Sequence, residues 1–166
     1  MIFNPTQTTL SKKLIMTTHH ETKFLPYTPA QLFTLIADVE RYPEFIPWCS
    51  ALRIVERRQE EGNEVLEAEM MVSFQMFREK FRSRVKLDEA AKAIDISHID
   101  GPFKYLDSLW VCKPAEGGCD IDFSVDFAFK NFILQKTVGI FFGEAMHKIV
   151  GAFEALAEEL YGGASV

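Results

Sequence analysis

Cysteine is scarce in this sequence, and its three copies, Cys49, Cys112 and Cys119, fall at irregular spacing. Their number is odd, they form no CxxC pair, and no histidine stands at metal-ligand spacing from them. The pattern therefore predicts neither a disulfide framework nor a metal site. We interpret the three residues as reduced thiols with structural roles, which favours a cytoplasmic protein.

Long apolar runs are missing as well. No run of about eighteen apolar residues occurs, so the sequence predicts no transmembrane helix. Residues 1–19 have neither the apolar core of a signal peptide nor the arginine-rich pattern of a transit peptide. Because Met16 comes just before the first patterned segment, we interpret residues 1–19 as a disordered leader or an over-called translation start. Residues 20–162 are predicted to form a single domain.

Positive charge is in short supply: 18 lysines and arginines stand against 24 aspartates and glutamates, a net charge of −6. This balance argues against broad affinity for DNA, for other nucleic acids or for anionic lipid, although it leaves room for local basic faces. One such face is the alternating row Arg78, Lys80, Arg82, Arg84 and Lys86. The row could meet the phosphates of a membrane or of RNA, or it could be the solvated outside of a strand.

Catalytic signatures are absent too, since the sequence contains no HExxH, GxSxG, GxGxxG or Walker pattern. His19 and His20 stand in a poorly patterned segment and are predicted on the solvated surface. His98 shares a strand face with isoleucines and is predicted as a hydrogen-bonded core residue, whereas His147 is predicted on a helix surface. We therefore predict no catalytic residue, no metal and no enzymatic activity.

What the sequence has in abundance is aromatic and alternating residues, including 15 phenylalanines. Apolar and polar residues alternate from Cys119 to Phe129 and again from Phe77 to Leu87. Such strands predict an antiparallel sheet with a single apolar face. The long amphipathic segment from Asn131 to Leu160 is predicted to be the helix that covers this face. The aromatic side chains either fill a solid core or line a cavity.

The remaining segments complete an order of one strand, two short helices, six strands and one long helix. Residues 28–31 form a capping box with proline at the first helical position, and a second short helix is predicted at 39–45. Turn signals separate strands predicted at 20–26, 51–58, 64–73, 77–88, 92–99, 104–113 and 118–129. The predicted inner face of the long helix comprises Leu134, Val138, Phe141, Ala145, Ile149, Ala152, Leu156 and Leu160, widened by Phe142, Met146, Val150, Phe153 and Ala157.

Four strings in order carry a family resemblance: LPYTPAQLFTLIADVERYPEFIPWCS, FREKFRSRV, GPFKYLDSLW and IDFSVDFAFKN. Together they resemble the coenzyme Q-binding family of START-type helix-grip domains, over residues 23–160. Bacterial members of this group are also catalogued as ribosome-association toxins, and the group includes polyketide cyclase/dehydrase-like proteins.

The resemblance implies an α+β fold of the helix-grip (START/Bet v 1-like) type. In this fold a seven-stranded antiparallel sheet wraps around the long C-terminal helix, with two short helices after the first strand. A hydrophobic tunnel between sheet and helix would hold ubiquinone or a related polyprenyl lipid, with no other cofactor. Family members are regarded as non-enzymatic carriers or chaperones that support respiration and quinone biosynthesis.

The resemblance also bears on location and partners. A lipid carrier of this kind would be a cytoplasmic protein, peripheral at the inner membrane, that meets a membrane surface transiently. The same resemblance leaves open a toxin or regulator that binds a ribosomal subunit and blocks subunit association. A polyketide-type cyclase is a third function, which the lack of paired inward acid and base residues disfavours.

Strand alternation and the helix period give candidate ligand-binding residues. We predict that a set of aromatic and apolar side chains lines the cavity, or else forms solid core: Phe81, Trp110, Phe123, Phe127, Phe142 and Met146. Glu79 lies on the strand face of Phe77 and Phe81, where a lone buried carboxylate would be costly. It could hold a polar head group, carry a proton, pair with an arginine or reach solvent.

The tunnel mouth is predicted at Gly101 and Pro102, which break one strand before Phe103 restarts an apolar run. Lys104 is then a candidate for meeting a quinone oxygen or a lipid phosphate, or an ordinary exposed lysine. Two mobile covers are predicted over the tunnel, Tyr42–Ser50 with Trp48 as a ligand contact, and Lys130–Gly143. Their apolar residues either enter a bilayer interface transiently or seal the core.

Overall fold

The computed structural model describes residues 17–74 and 76–162. Seven strands are present: β1 (Thr17–Leu25), β2 (Cys49–Glu60), β3 (Asn63–Phe74), β4 (Phe77–Asp88), β5 (Ala93–Asp100), β6 (Phe103–Ala115) and β7 (Gly118–Phe129). The helices are α1 (Pro29–Ala37), α2 (Tyr42–Phe45) and α3 (Phe132–Tyr161), with a 3₁₀ turn at Val39–Arg41. No helix within the described ranges combines the length and hydropathy of a membrane span.

The strands form one sheet in the order β1-β7-β6-β5-β4-β3-β2, and each neighbouring pair is antiparallel. The predicted α+β helix-grip fold is therefore confirmed. Strands β4 and β7 begin and end where the alternation predicts. The first strand begins earlier, because Thr17 to His19 pair with Val125 to Phe127 of β7. These three residues belong to the sheet and not to the leader, whose residues 1–16 lie outside the described part.

Local sequence explains how α1 begins. The Thr28 hydroxyl accepts a hydrogen bond from the Gln31 backbone N–H (3.1 Å), and the Gln31 side chain accepts one from the Thr28 backbone N–H (2.9 Å). This is the predicted capping box, with Pro29 at the first helical position. The helix then buries four apolar residues against the sheet: Leu32, Phe33, Leu35 and Ile36.

Helix α3 lies across the concave face of the sheet. Asn131 caps it, since its side chain accepts hydrogen bonds from the backbone N–H groups of Ile133 and Leu134. Its buried residues include Phe142, Val150, Phe153, Leu156 and Ala157. The prediction that Leu160 faces inward is wrong, because it is 46% exposed, whereas Phe141 borders the cavity and is 50% exposed. The buried stripe is centred on the residues that were expected only to widen it.

A polar seam joins α3 to the edge strand β1. Gln135 donates to the Thr17 hydroxyl (2.6 Å) and accepts from the Phe129 backbone N–H (2.7 Å). Farther along, His147 lies 3.5 Å from Glu21, and Lys23 lies 3.3 Å from Glu154.

Two histidines of β1 and α3 lie at this seam and differ in exposure. His19 hydrogen-bonds Glu21 at 2.8 Å, and its side chain is only 19% exposed. The predicted solvated position of His19 is thus wrong, because β1 begins early enough to turn His19 beneath the helix. His147, whose side chain is 75% exposed, lies on the helix surface as predicted.

The antiparallel order gives the sheet two distinct ends. One end collects the β3–β4 hairpin (74–78), the β5–β6 turn (100–104), the start of α3 (130–133) and the loop 46–49; we call it the open end. The other collects the β2–β3, β4–β5 and β6–β7 turns at 60–63, 88–92 and 115–118; we call it the closed end. Between them the core is aromatic: Phe153 contacts Tyr42, Phe45 and Trp110 at ring-centre distances of 5.5, 5.2 and 5.1 Å.

Candidate functional site

A cavity of about 530 Å³ lies between the concave face of the sheet and the first half of α3, and it reaches the surface at the open end. Strands β3, β4, β6 and β7 form one wall, the helix forms the other, and the loop before β2 closes one side. The lining is nearly all apolar: it includes Met70, Val72, Phe77, Phe81, Leu106, Val125, Phe127, Leu134, Val138, Phe142, Met146 and Ile149. Alternation on each strand explains this, because every second side chain points to the concave face.

The structure brings seven of the predicted site residues together along this cavity: Trp48, Glu79, Phe81, Phe103, Phe127, Phe142 and Met146. Trp110 and Phe123 are not among its lining. They stack on each other at 4.0 Å and are 4% exposed or less, because Phe153 and the closed-end core fill the space above them. Their expected place in the cavity wall is therefore wrong, and they are solid core.

Lys104 also lies outside the lining. It is exposed, whereas its neighbour Phe103 is buried and faces the cavity. Alternation along β6 explains the difference, since adjacent side chains point to opposite faces of the sheet. The mouth itself is where the sequence places it: Pro102 and Phe103 line the cavity just after β5 ends at Asp100.

Gly101 shapes that mouth. Its φ of +140° is a conformation that residues with side chains rarely adopt, and a Cβ added there would lie 2.6 Å from the Cβ of Phe81. The turn can therefore approach β4 closely because residue 101 has no side chain. The close approach brings Phe103 to 5.4 Å from Phe81, and an aromatic wall continues to Phe127 and Phe129 at 5.6 and 4.7 Å.

Sequence reasoning missed the β3–β4 hairpin as part of the site. Phe74 and Met76 line the mouth, and Met76 is fully exposed. The signal was present in the alternation of Met70, Val72 and Phe74, which continues the inner face of β3 to the hairpin. That hairpin, and not the whole segment Tyr42–Ser50, faces α3 across the opening.

In each of the two predicted covers, some residues line the cavity and others do not. In the first, Ile46, Pro47 and Trp48 line the cavity, whereas Tyr42 and Phe45 pack on Phe153 and seal the core. In the second, Ile133, Leu134 and Phe141 line the cavity, and Phe132 is exposed beside it. Trp48 has a φ of +69° and its ring meets that of Phe74 edge-on at 5.3 Å.

Few polar groups reach the cavity: Glu79, Asn131 and Thr137 are the clearest. The last two are occupied within α3, because Asn131 caps the helix and the Thr137 hydroxyl donates to the Ile133 carbonyl at 2.8 Å. The Glu79 carboxylate makes no ion pair with a residue in the described ranges, so the arginine pairing considered for it is not observed. It is the polar group best placed to meet a ligand.

His98 stands behind the aromatic wall. Its ring meets Phe103 edge-on at 5.6 Å, and its buried Nδ1 has no hydrogen-bond partner among the described residues. The prediction of a hydrogen-bonded core histidine is thus wrong, because no described group is placed to bond this nitrogen and the ring packs against Phe103 instead. Desolvation, with a smaller contribution from Lys130, lowers the pKa of His98.

The basic row of β4 is largely neutralised within the sheet. Glu69 of β3 lies 3.0, 3.4 and 3.9 Å from Arg53, Arg82 and Lys80, and Arg84 pairs with Glu60. The hydrogen bond from Arg53 is the largest cause that lowers the pKa of Glu69. This half of the outer face is therefore a self-paired, solvated surface.

The cysteines offer no reactive group. All three are free and buried. Burial raises the pKa of Cys49 to about 11 and that of Cys112 to about 12, which keeps both thiols protonated at neutral pH. No group of three or more histidine, cysteine, aspartate or glutamate side chains that could hold a metal ion occurs in the part of the chain that the structure describes.

The chain was compared with protein families and with named relatives. A family model described as polyketide cyclase / dehydrase and lipid transport matches residues 25–154. The ribosome association toxin RatA of Rickettsia prowazekii is 37% identical over 148 residues, which cover 87% of this chain and 99% of the relative. The mitochondrial coenzyme Q-binding protein COQ10 homolog B of Xenopus laevis is 28% identical over 148 residues, 87% of this chain and 59% of the relative.

Solved structures agree on the fold. The solution structure of an 18 kDa protein from Caulobacter crescentus has 39% identity and a TM-score of 0.75, over 88% of this chain and 99% of that one. A START superfamily protein from Mycobacterium smegmatis has 19% identity and a TM-score of 0.74, over 86% and 98% of the two chains. The ZhuI aromatase/cyclase from a Streptomyces species has 15% identity and a TM-score of 0.76, over 91% and 99%. At these last two identities the likeness concerns the fold alone.

Proposed function

The chain belongs to the polyketide cyclase / dehydrase and lipid transport family, and from this premise we propose that its cavity binds ubiquinone or a related polyprenyl lipid. Binding occurs without chemical conversion, in a carrier or chaperone that supports respiration and quinone biosynthesis. The observation that carries the proposal is the cavity itself, about 530 Å³ of space lined almost wholly by apolar side chains. A coenzyme Q-binding protein among the relatives supports the same ligand class.

Physical chemistry favours a chain-like apolar ligand in such a space. Each methylene group removed from water contributes about 0.8 kcal/mol, so an isoprenoid tail gains affinity along its length without polar anchors. The volume of the cavity is in the usual range for ligand pockets. In such pockets a few polar groups fix the orientation of the ligand. Glu79, at the wall near the mouth, is positioned to meet a polar head group.

The lining also supports binding over catalysis. Acid–base chemistry requires a donor and an acceptor placed together at the reacting atoms. Among the lining residues Glu79 is the one carboxylate, and no histidine, lysine or arginine accompanies it. The named relatives above are a ribosome association toxin and a coenzyme Q-binding protein, whereas cyclases appear among neighbours in fold.

A carrier for an insoluble lipid must collect it from a membrane. We place the protein in the cytoplasm, peripheral at the inner membrane, with transient contact to the membrane surface. Trp48, Phe74, Ile133 and Phe141 border the mouth and would act as its gate.

A second function is favoured by the relative named ribosome association toxin, at 37% identity over nearly its whole length. In that alternative the protein binds a ribosomal subunit and blocks subunit association. Three of the five cations in the basic row on β4, Lys80, Arg82 and Arg84, pair with carboxylates, so the row offers RNA little free positive charge.

Organic extraction of the purified protein, followed by mass spectrometry, tests the primary proposal. Wild-type protein should release a quinone or polyprenyl lipid. Ala145→Trp should release far less, because Ala145 lines the cavity and an indole would fill it. Ala155→Trp is the matched control, since Ala155 is exposed on the same helix.

The contrary result is equally clear. An extract with no such lipid, from protein that sediments with ribosomal subunits, would replace the carrier by the ribosome-directed function. Equal lipid in both tryptophan variants would show that the lipid binds elsewhere.

A further inference from the structure

The open end carries large apolar side chains in contact with solvent. Met76 is fully exposed at the β3–β4 hairpin, and the beginning of α3 adds residues exposed by half or more: Phe132, Ile133, Ile140 and Phe141. These residues come from two separate elements, and both elements border the cavity mouth. A patch of this kind on an otherwise acidic protein marks an interaction surface.

Cations with no ion-pair partner among the described residues lie beside this patch. Arg78, Lys104, Lys130 and Lys136 are all exposed, and they stand on the hairpin, the β5–β6 turn, the start of α3 and its second turn. The ion pairs formed by lysines in the described ranges engage Lys23, Lys80, Lys113 and Lys148 instead. Two carboxylates lie at this end, Asp100 in the turn and Glu79 in the cavity wall. The open end is therefore locally basic.

The closed end has the opposite sign. Its turns carry five acidic residues, Glu60, Glu61, Asp88, Glu89 and Glu116, of which Glu60 pairs with Arg58 and Arg84, and Lys92 is the cation within these turns. The net charge of −6 is thus distributed unevenly along the sheet axis. A negatively charged surface would attract one end of this molecule and repel the other.

We propose that the open end is a docking surface for anionic lipid bilayers, an inference that rests on the lipid-binding function proposed above. Met76, Ile133 and their apolar neighbours enter the boundary between head groups and acyl chains. The four cations contact lipid phosphates around them. The acidic closed end faces away, so the cavity mouth opens directly into the hydrocarbon layer that holds the ligand.

Charge complementarity selects the bilayer over other occupants. RNA would contact the cations but would leave the exposed apolar side chains in water. A second copy of this chain would bring one basic end against another. An anionic membrane satisfies both the apolar centre and the basic rim of the surface.

Vesicle flotation with the full chain tests the proposal. Binding should be stronger to vesicles of phosphatidylcholine with phosphatidylglycerol than to phosphatidylcholine alone, and should weaken as salt rises. Lys104→Gln with Lys130→Gln should weaken binding to the anionic vesicles about fivefold for each cation removed. Lys86→Gln with Lys148→Gln is the matched control, since Lys86 lies toward the closed end and Lys148 is 16 residues, about 24 Å, along α3 from Phe132.

A second pair of variants tests the apolar centre. Met76→Ser with Ile133→Ser should weaken vesicle binding about tenfold or more, because both side chains would no longer be buried in lipid. Leu109→Ser is the control, since Leu109 is 40% exposed on the outer face of the sheet. All of these side chains are exposed, so the variants should keep the wild-type circular dichroism spectrum and melting temperature.

Four results would overturn the inference. Equal binding to neutral and anionic vesicles would remove the role of the cations, and unchanged binding of the Met76/Ile133 variant would remove that of the patch. Dimers that dissociate on the Met76/Ile133 substitution, without vesicle binding, would make the surface a self-association interface. Sedimentation with ribosomal subunits that depends on Lys104 and Lys130, without vesicle binding, would assign it to RNA.

Failure of docking is distinguishable from failure of the proposed function. Lys104 and Lys130 do not line the cavity, so their variant, supplied with quinone from non-ionic detergent, should retain the ligand. Anionic-vesicle binding by a protein that takes up no quinone would keep the docking surface and refute the ligand. Quinone uptake by a protein that does not bind vesicles would keep the ligand and refute the docking surface.

Discussion

The open and closed ends of the sheet differ in how they use the same kind of residue. Toward the closed end Trp110 stacks on Phe123 and meets Phe153 edge-on, and all three rings are 4% exposed or less. At the open end Phe81, Phe103 and Phe127 form one wall of the cavity, and α3 and the loop before β2 line the rest of it. Aromatic residues therefore build solid core where α1 and α2 add a further layer, and cavity wall where α3 and the loop before β2 provide the cover.

The difference bears directly on the carrier function proposed above. The closed end gives the chain its stability, because dense packing removes the most apolar surface from water. The open end leaves apolar groups exposed to water. Under the proposed function, a bound ligand or a membrane would cover these groups and remove that cost. Substitutions at the two ends should therefore separate stability from binding.

The largest effect is expected at the closed end. Phe153→Ala removes a ring that is 1% exposed and surrounded by three aromatic rings, so it should lower the free energy of unfolding by about 3 to 5 kcal/mol. Urea unfolding followed by circular dichroism measures this loss. A loss below 1 kcal/mol would mean that the closed end is not the stabilising half.

Phe127→Ala at the open end should cost less than that range, since one side of the ring borders the cavity and not other atoms. It should also reduce retention of the co-purified lipid. The same urea titration and extraction assay measure both effects. A full core-type loss of stability with lipid retention unchanged would contradict the assignment of Phe127 to the cavity wall.

The cost of replacing a turn glycine by alanine should differ between the two ends. Gly101→Ala should destabilise by about 1 to 3 kcal/mol, because φ is +140° and the new methyl group would meet Phe81. Gly117→Ala at the closed end should cost about 1 kcal/mol, because φ is +80° but space is open there. Melting temperatures of the pair give the comparison. Equal losses would show that contact with Phe81 is not what requires glycine at residue 101.

His98, at the open end, should contribute to the pH dependence of folding stability. Desolvation lowers its pKa in the folded state, so the unfolded chain binds the proton more readily and stability falls as pH drops through the histidine range. His98→Phe should therefore flatten the decline in melting temperature between neutral and mildly acidic pH. His147→Gln, on the exposed helix surface, is the control. An unchanged slope in the His98 variant would assign the acid sensitivity to other groups.

The smallest expected effect is an optical one. In a Trp110→Phe background, Trp48 at the mouth should shift its fluorescence to the blue when anionic vesicles are added, because its indole would enter a less polar layer. The spectrum without vesicles is the reference. An unshifted spectrum with bound protein would mean that docking does not bury this side of the mouth.

Much of this fold could be predicted from the sequence because its signals are local. The alternation of β4 and β7, the capping box at Thr28 and the turns between strands each depend on neighbours in the chain. Seven of ten candidate site residues could be placed along the cavity for the same reason, since alternation determines which face of a strand a side chain occupies.

What the sequence by itself determined was the order of the elements and the inner face of each strand. Tertiary structure alone decided how far along that face the core ends and the cavity begins. Trp110, Phe123 and Phe127 follow the same alternation, yet two lie in solid core and one in the cavity wall. The side chains of α3 that meet each ring make that difference, Phe153 at Trp110 and Phe142 at Phe127, and these are contacts between residues far apart in the chain, which no local pattern encodes.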